Sequence, residues 1–247
     1  MDAARLARLI QLRQPCVVLT GAGVSTESGI PDFRSPSGLW AQFDPQEYAS
    51  LEAFRADPDK VWSFYAPRIA LLTGARPNAA HLALAALERA GYVQAIVTQN
   101  IDLLHERAGS REIVEVHGSI RTARCPVCGG SYPLRLLLAK LREADVPRCD
   151  DCRSVLKPDV VFFGELLAPE AIERAFELAR RASLLLVVGS ALEVYPVAAL
   201  PEETLAAGGR LAIVNRGSTP YDRRAELAFN AAAGELLAAV AAELEAR

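Results

Sequence analysis

Four cysteines stand in two pairs with the spacing of a metal site. Cys125 and Cys128 form one Cys-x-x-Cys pair, and Cys149 and Cys152 form a second pair after residues 129–148. Two such pairs at this separation are typical of a four-thiolate zinc ribbon, whereas a single pair would also fit a redox centre. Because four protein ligands leave no open coordination position, we predict one structural Zn²⁺ per chain.

The segment 17–35, VVLTGAGVSTESGIPDFRS, combines a phosphate-binding loop with an unusual extension. Gly21 and Gly23 follow a short apolar run, where glycines let backbone N–H groups approach a pyrophosphate. The third glycine of the usual dinucleotide fingerprint is missing, which argues against a hydride-transfer dehydrogenase. The added Asp-Phe-Arg at 32–34 fits one face of a nicotinamide ribose, with the aromatic ring excluding water. The alternative is a surface loop turned by Pro31.

The chain has three histidines, and His117 is the candidate general base. It ends an apolar run predicted to be a strand, where α/β enzymes hold catalytic groups, and an unperturbed imidazole titrates near ~6.5. His81 and His105 are interpreted as structural. The nearby TQNID at 98–102 supplies two amides and a carboxylate that suit a ribose or a carboxamide. A polar turn at the end of a strand is the alternative for that segment.

The elements that must position these residues alternate between strand and helix patterns. Continuous apolar runs typical of a buried parallel sheet lie at 16–20, 93–100, 112–118, 160–164, 184–190 and 210–215. Helix-period segments lie at 78–91, 168–182 and 233–247. Asn78 and Pro169 are good helix starts, and Gly91 is a good helix end. We predict a doubly wound, Rossmann-like α/β fold with its ligand crevice at the carboxyl ends of the strands.

Two segments interrupt this alternation and are predicted to form a smaller domain. Residues 37–74 carry aromatic-rich helical patterns, and residues 121–157 hold the paired cysteines as a zinc-ribbon module. The remaining ranges are assigned to the Rossmann-like NAD-binding domain: 1–36, 75–120 and 158–247.

Composition limits the classes of protein that need to be considered. The 247 residues are 51% apolar and 23% charged, as expected for a compact globular chain. The net charge of −3 and the pI of about 5.7 argue against a polyanion binder. No apolar run approaches the ~18 residues of a membrane span, and the amphipathic first residues do not resemble a signal peptide. We expect a cytoplasmic protein without a membrane or sequence-specific nucleic-acid partner.

Seven motifs together resemble those of the sirtuin NAD-dependent protein deacylases. They are, in order, GAGVSTESGIPDFRS, TQNIDLLHERAG, EVHGS, the two cysteine pairs, KPDVVFFGE, GSALEVYPVAAL and IVN. The resemblance covers nearly the whole chain and implies that NAD is a co-substrate whose glycosidic bond is cleaved. The oxygen of an acyl-lysine would attack the ribose carbon and displace nicotinamide. His117 would then act as general base through the ribose hydroxyls, so that the 2′-oxygen attacks the amidate carbon, and water would complete the breakdown to free lysine and O-acyl-ADP-ribose.

The resemblance also implies binding roles for individual positions. The phosphates would contact Gly21, Ala22 and Gly23. The nicotinamide ribose and its pocket would be lined by Asp32, Phe33, Arg34, Gln99, Asn100, Ile101 and Asp102. The adenosine half would lie against Gly189, Ser190, Asn215 and Ala233. The acyl-lysine protein substrate would be clamped as an extended, added strand by Gly164, Glu165, Val194 and Tyr195. Family members often have Gly-Thr-Ser after the 184–188 strand, and Ala191 here lacks the last hydroxyl.

The pair Tyr65-x-x-Arg68 resembles the acyl-pocket signature of one sirtuin subgroup. Three residues apart on a helix, both side chains share a face. In the subgroup that removes succinyl, malonyl or glutaryl groups, the arginine would bind the distal carboxylate in a bidentate manner. Ala49 resembles the small residue that leaves room for such an acyl chain. The resemblance thus implies desuccinylation and demalonylation beside deacetylation. The alternative is a solvated Arg68 and a Tyr65 packed in the small domain.

Two other functions are compatible with parts of the sequence. A mono-ADP-ribosyltransferase or NAD hydrolase would use the same loop, Asn100 and Asp102, but would not need the peptide clamp or the Tyr65–Arg68 pair. A zinc-ribbon module that reads nucleic acid would need a strongly basic face and would not need His117.

Overall fold

The computed structural model describes residues 1–245 and contains nine named strands in that range. They are β1 Cys16–Thr20, β2 Ala95–Thr98, β3 Ile113–Glu115, β4 Gly118–Arg124, β5 Ser131–Pro133, β6 Lys157–Val160, β7 Leu184–Val188, β8 Arg210–Asn215 and β9 Leu227–Asn230. The helices are α1 Asp2–Leu12, α2 Pro45–Tyr48, α3 Leu51–Ala56, α4 Pro58–Gly74, α5 Ala79–Arg89, α6 Leu104–Ala108, α7 Leu134–Glu143, α8 Pro169–Arg181, α9 Leu200–Ala206 and α10 Ala233–Glu245. The last two residues of the predicted helix 233–247 lie outside the described range.

A six-stranded parallel sheet in the order β3-β2-β1-β7-β8-β9 forms the larger part of the fold. Alternate residues of a strand point to opposite faces, and both faces are covered here. Val18 packs on one face with residues of α1, α5 and α10. Val17 packs on the other face with residues of α8 and α9. The predicted doubly wound fold is therefore confirmed.

The strand order reverses between β1 and β7, which are paired over their whole length from Cys16↔Leu184 to Thr20↔Val188. In open parallel sheets a crevice forms at the carboxyl ends of the strands where the order reverses. The loops after β1 and β7 therefore meet at the rim of this crevice.

A smaller lobe combines the helices α2 to α4 with the antiparallel sheet β5-β4-β6 and helix α7. The buried Trp62 joins the two parts, because its indole N–H donates to the carbonyl oxygen of Leu156 at 2.7 Å. The antiparallel sheet begins at Gly118 and ends at Val160, so it extends beyond the predicted limits of the zinc-ribbon module, 121 and 157. β4, β5 and β9 have no counterpart among the predicted strands because they are only partly buried and therefore lack a continuous apolar run.

The prediction that residues 160–164 form a strand of the parallel sheet is wrong. Only Val160 belongs to a strand, β6, and β6 pairs antiparallel to β4 in the small sheet. The run is apolar because Phe162 is buried in the small lobe, where it stacks on Tyr65 with ring centroids 5.2 Å apart. Burial between a loop and a helix thus gave the same apolar pattern as burial inside a sheet.

Local sequence explains where two of the helices begin. The side chain of Asn78 accepts hydrogen bonds from the backbone N–H groups of Ala80 and His81 and so caps α5. Pro169 is the first residue of α8, where its missing N–H costs nothing. Among the helices of residues 1–245, none is both long and apolar enough to cross a membrane.

Candidate active site

A large cavity of about 600 Å³ lies at the carboxyl ends of β1, β2, β7 and β8, below the small lobe. It brings together all the predicted catalytic, cofactor and substrate residues. They are Gly21, Ala22, Gly23, Asp32, Phe33, Arg34, Ala49, Tyr65, Arg68, Gln99, Asn100, Ile101, Asp102, His117, Gly164, Glu165, Gly189, Ser190, Val194, Tyr195, Asn215 and Ala233. The four paired cysteines do not line it.

The glycines of the first loop allow the loops after β1 and β7 to pack closely. A Cβ on Gly21 would lie 2.8 Å from the carbonyl oxygen of Gly189, and one on Gly23 would lie 2.9 Å from the Gly189 Cα. Their N–H groups donate to the carbonyls of Val188 and Gly189. These glycines therefore serve first to bring the two loops together, and the segment Ala22–Ser28 continues as a 3₁₀ helix.

Ser25, which sequence reasoning left out of the site, organises the floor of the cavity. Its hydroxyl donates to Asp102 Oδ2 at 2.7 Å and accepts from Asn100 Nδ2 at 3.1 Å. Asn100 Nδ2 also contacts the carbonyl oxygen of Gly21 at 3.2 Å. The signal was present, since Ser25 stands inside the GAGVS motif, but its partners lie far away along the chain. The network fixes Asn100 and Asp102 beside the first loop.

His81 and His105 lie behind this network with ring centroids 4.8 Å apart, and both are buried. His81 Nδ1 contacts the side chain of Asn78 at 3.0 Å, and His105 Nε2 lies 3.0 Å from Thr20 Oγ1. Burial lowers the pKa of His81 to about 4 and that of His105 to about 3. Both imidazoles are therefore neutral at physiological pH.

His117 lies in the turn between β3 and β4 rather than on a strand. Its Nδ1 is 3.1 Å from the carbonyl oxygen of Gln99, and a carbonyl can only accept, so Nδ1 carries the proton and Nε2 the lone pair. Burial lowers the pKa of His117; the hydrogen bond to the Gln99 carbonyl opposes this, and the positive charge of Arg34 reinforces it. The imidazole is thus held neutral, with the tautomer that a general base needs.

The extension of the first loop forms an aromatic wall of the cavity. Asp32 Oδ1 accepts from the backbone N–H groups of Arg34 and Ser35 at 3.1 and 2.8 Å and holds the turn. Phe33 stacks on Trp40, a second wall residue absent from the predicted set, with centroids 5.0 Å apart. Arg34 pairs with Glu193 at 3.0 Å, which links this loop to the loop after β7.

The far end of the cavity in the small lobe contains Ala49, Tyr65 and Arg68. The Arg68 guanidinium lies 3.5 Å above the centroid of the Phe64 ring, and Nη1 donates to the Phe64 carbonyl oxygen at 2.5 Å. Arg68 Nε is buried and has no hydrogen-bond partner. Burial lowers the pKa of Arg68 and raises that of the Tyr65 hydroxyl, which therefore stays a neutral donor.

The end of the cavity where the adenosine half of NAD is predicted to bind is formed by residues from three loops. Ser190 Oγ accepts from Gln99 Nε2 at 2.9 Å, and Asn215 Nδ2 donates to the carbonyl oxygen of Gly217 at 3.2 Å. Glu27, which was not predicted as a site residue, accepts from the N–H of Gly234 at 3.0 Å. This contact caps the first turn of α10 and ties it to the first loop.

The cysteine pairs fit a zinc ion, although they lie outside the cavity. The four Sγ atoms lie within 4.8 Å of one another, with Cys125–Cys152 at 3.3 Å and Cys128–Cys149 at 3.5 Å. A tetrahedral site with Zn–S bonds of ~2.3 Å places sulfurs ~3.8 Å apart, so only small movements are needed. The Tyr132 hydroxyl donates to Cys149 Sγ at 3.3 Å and orients it.

Comparisons with known proteins agree with one another. The model of the Sir2 family matches residues 21–196. An NAD-dependent protein deacetylase of Thermotoga maritima is 46% identical over 214 residues, which are 87% of this chain and 87% of the relative.

Two solved structures superimpose closely on the whole fold. One is a Sir2 complex with a deacetylated p53 peptide and 3′-O-acetyl ADP-ribose, with a TM-score of 0.94, 42% identity and coverage of 98% of each chain. The other is a Sir2 complex with a p53 peptide and NAD⁺, with a TM-score of 0.92, 41% identity and full coverage of both chains.

Proposed function

We propose a function from the premise that this chain belongs to the Sir2 family and is an NAD-dependent protein deacylase. It uses His117 as its general base, and it removes succinyl and malonyl groups as well as acetyl groups from lysine. NAD is the co-substrate, and the four paired cysteines would hold one structural zinc. The single observation that carries the proposal is the neutral His117 in the same cavity as the Tyr65–Arg68 pair.

The predicted cofactor residues that line the cavity would bind and orient NAD, which supplies an electrophilic ribose carbon when nicotinamide leaves. The loop from Gly21 to Gly23 lines the cavity and would lie close to the phosphates, although the N–H groups of both glycines are already bonded to the carbonyls of Val188 and Gly189. The wall formed by Phe33 and Trp40 would keep water from the ribose. The amide of Asn100 and the carboxylate of Asp102 are fixed by Ser25 and suit the nicotinamide end. The lining of Ser190, Asn215 and Ala233 suits the adenosine half.

His117 would then accept a proton from the ribose hydroxyls through Nε2. Its Nδ1–H is held by the Gln99 carbonyl, so the ring needs no tautomer change before it acts. The lowered pKa keeps the ring unprotonated at neutral pH. The zinc would take no part in these steps, because four thiolates fill its coordination sphere.

The acyl preference rests on the charge at the end of the pocket. The guanidinium of Arg68 uses one of its N–H groups for Phe64, which leaves donors for a carboxylate. Ala49 offers a small side chain, and the neutral Tyr65 hydroxyl offers a second donor. An acidic acyl group of succinyl length matches this end in charge and in hydrogen bonding.

The peptide backbone would lie between Gly164 and Glu165 on one side and Val194 and Tyr195 on the other, as an added strand. Tyr195 is 71% exposed, so a partner has room to approach it.

We also propose a cytoplasmic location, because cysteine pairs that serve as zinc ligands rather than as disulfides are typical of reducing compartments; cell fractionation tests this. The acidic pI supports the absence of a nucleic-acid partner.

A product assay tests the deacylase proposal against the rival NAD-cleaving reactions. The purified protein is incubated with NAD and with matched acetyl, succinyl and malonyl peptides, and products are identified by mass spectrometry. We expect nicotinamide and O-acyl-ADP-ribose in equal amounts, and faster turnover of the acidic acyl peptides. Release of nicotinamide without any peptide would support an NAD hydrolase instead. Turnover of acetyl peptide alone would remove the acyl-pocket assignment.

A further inference from the structure

The segment 160–165 joins several parts of the proposed site. The N–H of Val161 donates to the carbonyl oxygen of His117 at 2.9 Å, and the N–H of Phe163 donates to the carbonyl oxygen of Ala49 at 2.9 Å. The segment then carries Gly164 and Glu165, one side of the proposed peptide clamp. Its conformation therefore sets the spacing between the general base, the acyl pocket and the bound peptide.

The ammonium group of Lys157, on β6, has three oxygen partners, two of which belong to this segment. Its Nζ donates to the carbonyl oxygens of Val160 at 2.9 Å and Pro158 at 3.2 Å, and it pairs with Glu165 Oε2 at 2.8 Å. An ammonium group has three donors, so none remains for a ligand. The same Nζ lies 4.2 Å from the centroid of the Phe162 ring, within the range of a cation–π contact.

The carboxylate of Glu165 is likewise bonded within the protein. Its Oε2 accepts from the N–H of Phe162 at 2.8 Å as well as from Lys157, and the N–H of Glu165 donates back to the carbonyl oxygen of Phe162 at 3.0 Å. The two charged side chains are only 18% and 22% exposed. Ion pairs of this degree of burial fix geometry more firmly than solvated pairs, because water competes less for each partner.

We propose that Lys157 is a positioning residue for the acyl-lysine peptide, acting through Glu165 and the backbone of 160–165. The inference rests on the proposed function and deepens it. The ammonium holds the segment in its bound shape before the peptide arrives, so the peptide does not have to order it. Glu165 accordingly contributes its backbone to the clamp, while its carboxylate serves Lys157 and Phe162.

Substitution of Lys157 should separate peptide binding from NAD binding and from the chemical step. In Lys157→Met, Glu165 loses its counter-charge and two carbonyls lose a donor, so the segment becomes mobile. We expect KM for an acyl peptide to rise at least tenfold. We expect kcat to fall less than threefold, since His117 is held independently by the Gln99 carbonyl. The Kd for NAD, measured by calorimetry, should change less than twofold.

Lys60 provides a matched control in the same lobe. It pairs with Glu47, also at 2.8 Å, and lies 4.7 Å from the centroid of the Tyr48 ring. We expect Lys60→Met to leave KM within twofold of wild type. The double variant Lys157→Met/Glu165→Gln should show no higher KM than Lys157→Met, because both changes disrupt one unit.

The outcomes separate failure of this inference from failure of the proposed function. A wild-type protein that does not deacylate peptides would refute the function itself. An active wild type with an unchanged KM in Lys157→Met would refute the positioning role, and so would an equal rise in Lys60→Met. If Lys157→Met does not fold, Lys157→Arg and Lys157→Gln are compared. Arginine must stay within threefold of wild type and glutamine must raise KM, and equal KM values would overturn the inference.

Discussion

Replacement of Arg68 by methionine isolates the charge at the end of the acyl pocket. Methionine retains an unbranched apolar stem that can still pack beside the rings of Phe64 and Phe43, but the cation–π contacts of the guanidinium with both rings are lost. What is lost is the guanidinium, which donates once to the Phe64 carbonyl and has a buried Nε without a partner. The change therefore removes the donors proposed for a distal carboxylate, together with contacts inside the protein that both substrates share, so the difference between the two substrates reports the carboxylate alone.

The size of the effect follows from the number and kind of bonds removed. A charge-assisted pair to a carboxylate is worth about 2–3 kcal/mol in a partly buried site. Since each ~1.4 kcal/mol is a factor of ten, kcat/KM for a succinyl peptide should fall about 30- to 150-fold. An acetyl group has no distal carboxylate, so kcat/KM for the acetyl peptide should stay within about threefold.

The assay compares succinyl and acetyl peptides of the same sequence at saturating NAD, with O-acyl-ADP-ribose as the product measured. Arg107→Met is the matched control, because Arg107 donates to the carbonyls of Leu72 and Thr73 at 3.5 Å and lies outside the cavity. We expect the control to affect neither substrate. Equal losses on both substrates in Arg68→Met, or a loss only on the acetyl peptide, would refute the assignment of Arg68 to the acyl carboxylate.

Further predictions concern the base, the buried histidines and the zinc site. His117→Ala should lower kcat at least 100-fold, the scale of general-base catalysis, while the Kd for NAD by calorimetry stays within about threefold; wild-type turnover would exclude His117 as the base. Because the pKa of His117 is lowered, kcat/KM should rise with pH to a plateau, and the midpoint of the rise should lie below the unperturbed pKa of ~6.5. A midpoint above pH ~7 would contradict this. His81 and His105 bind protons more readily when unfolded, so stability should be constant above pH ~6.5 and fall below it. The loss at pH 5 should be on the order of 2 kcal/mol per histidine in urea titrations, and a stability maximum below pH 5 would contradict it. Metal analysis should find one zinc per chain, and Cys128→Ser should lose it and unfold the small lobe; a zinc-free but fully folded protein would contradict a structural role.

Local patterns were sufficient for five of the six strands of the parallel sheet, and β9 was missed. The apolar runs at 16–20 and 210–215 coincide with β1 and β8 because strands covered on both faces need apolar side chains at most of their positions. The start of α5 at Asn78 also followed from sequence, since capping depends on residues three or fewer apart. The same local logic failed at 160–164, where an apolar loop packs under the small lobe.

Contacts between segments far apart in the sequence could not be predicted from local patterns. Ser25 bonds Asp102, and Glu27 bonds Gly234, across long stretches of chain, so neither could be recognised as a site residue from its neighbours. The sirtuin resemblance implied a role for Glu165 at the peptide, whereas the fold pairs its carboxylate with Lys157.

For this protein the sequence by itself determined the residue types that chemistry requires: two cysteine pairs, a glycine loop, one histidine after an apolar run, and a Tyr-x-x-Arg pair. Only the tertiary structure decided which of these groups share a cavity, which nitrogen of His117 is free, and which charges are already paired inside the protein. The physical reason is that chemical identity and helix or strand periodicity are local properties. Proton position, burial and ion pairing are instead set by atoms brought together from remote parts of the chain.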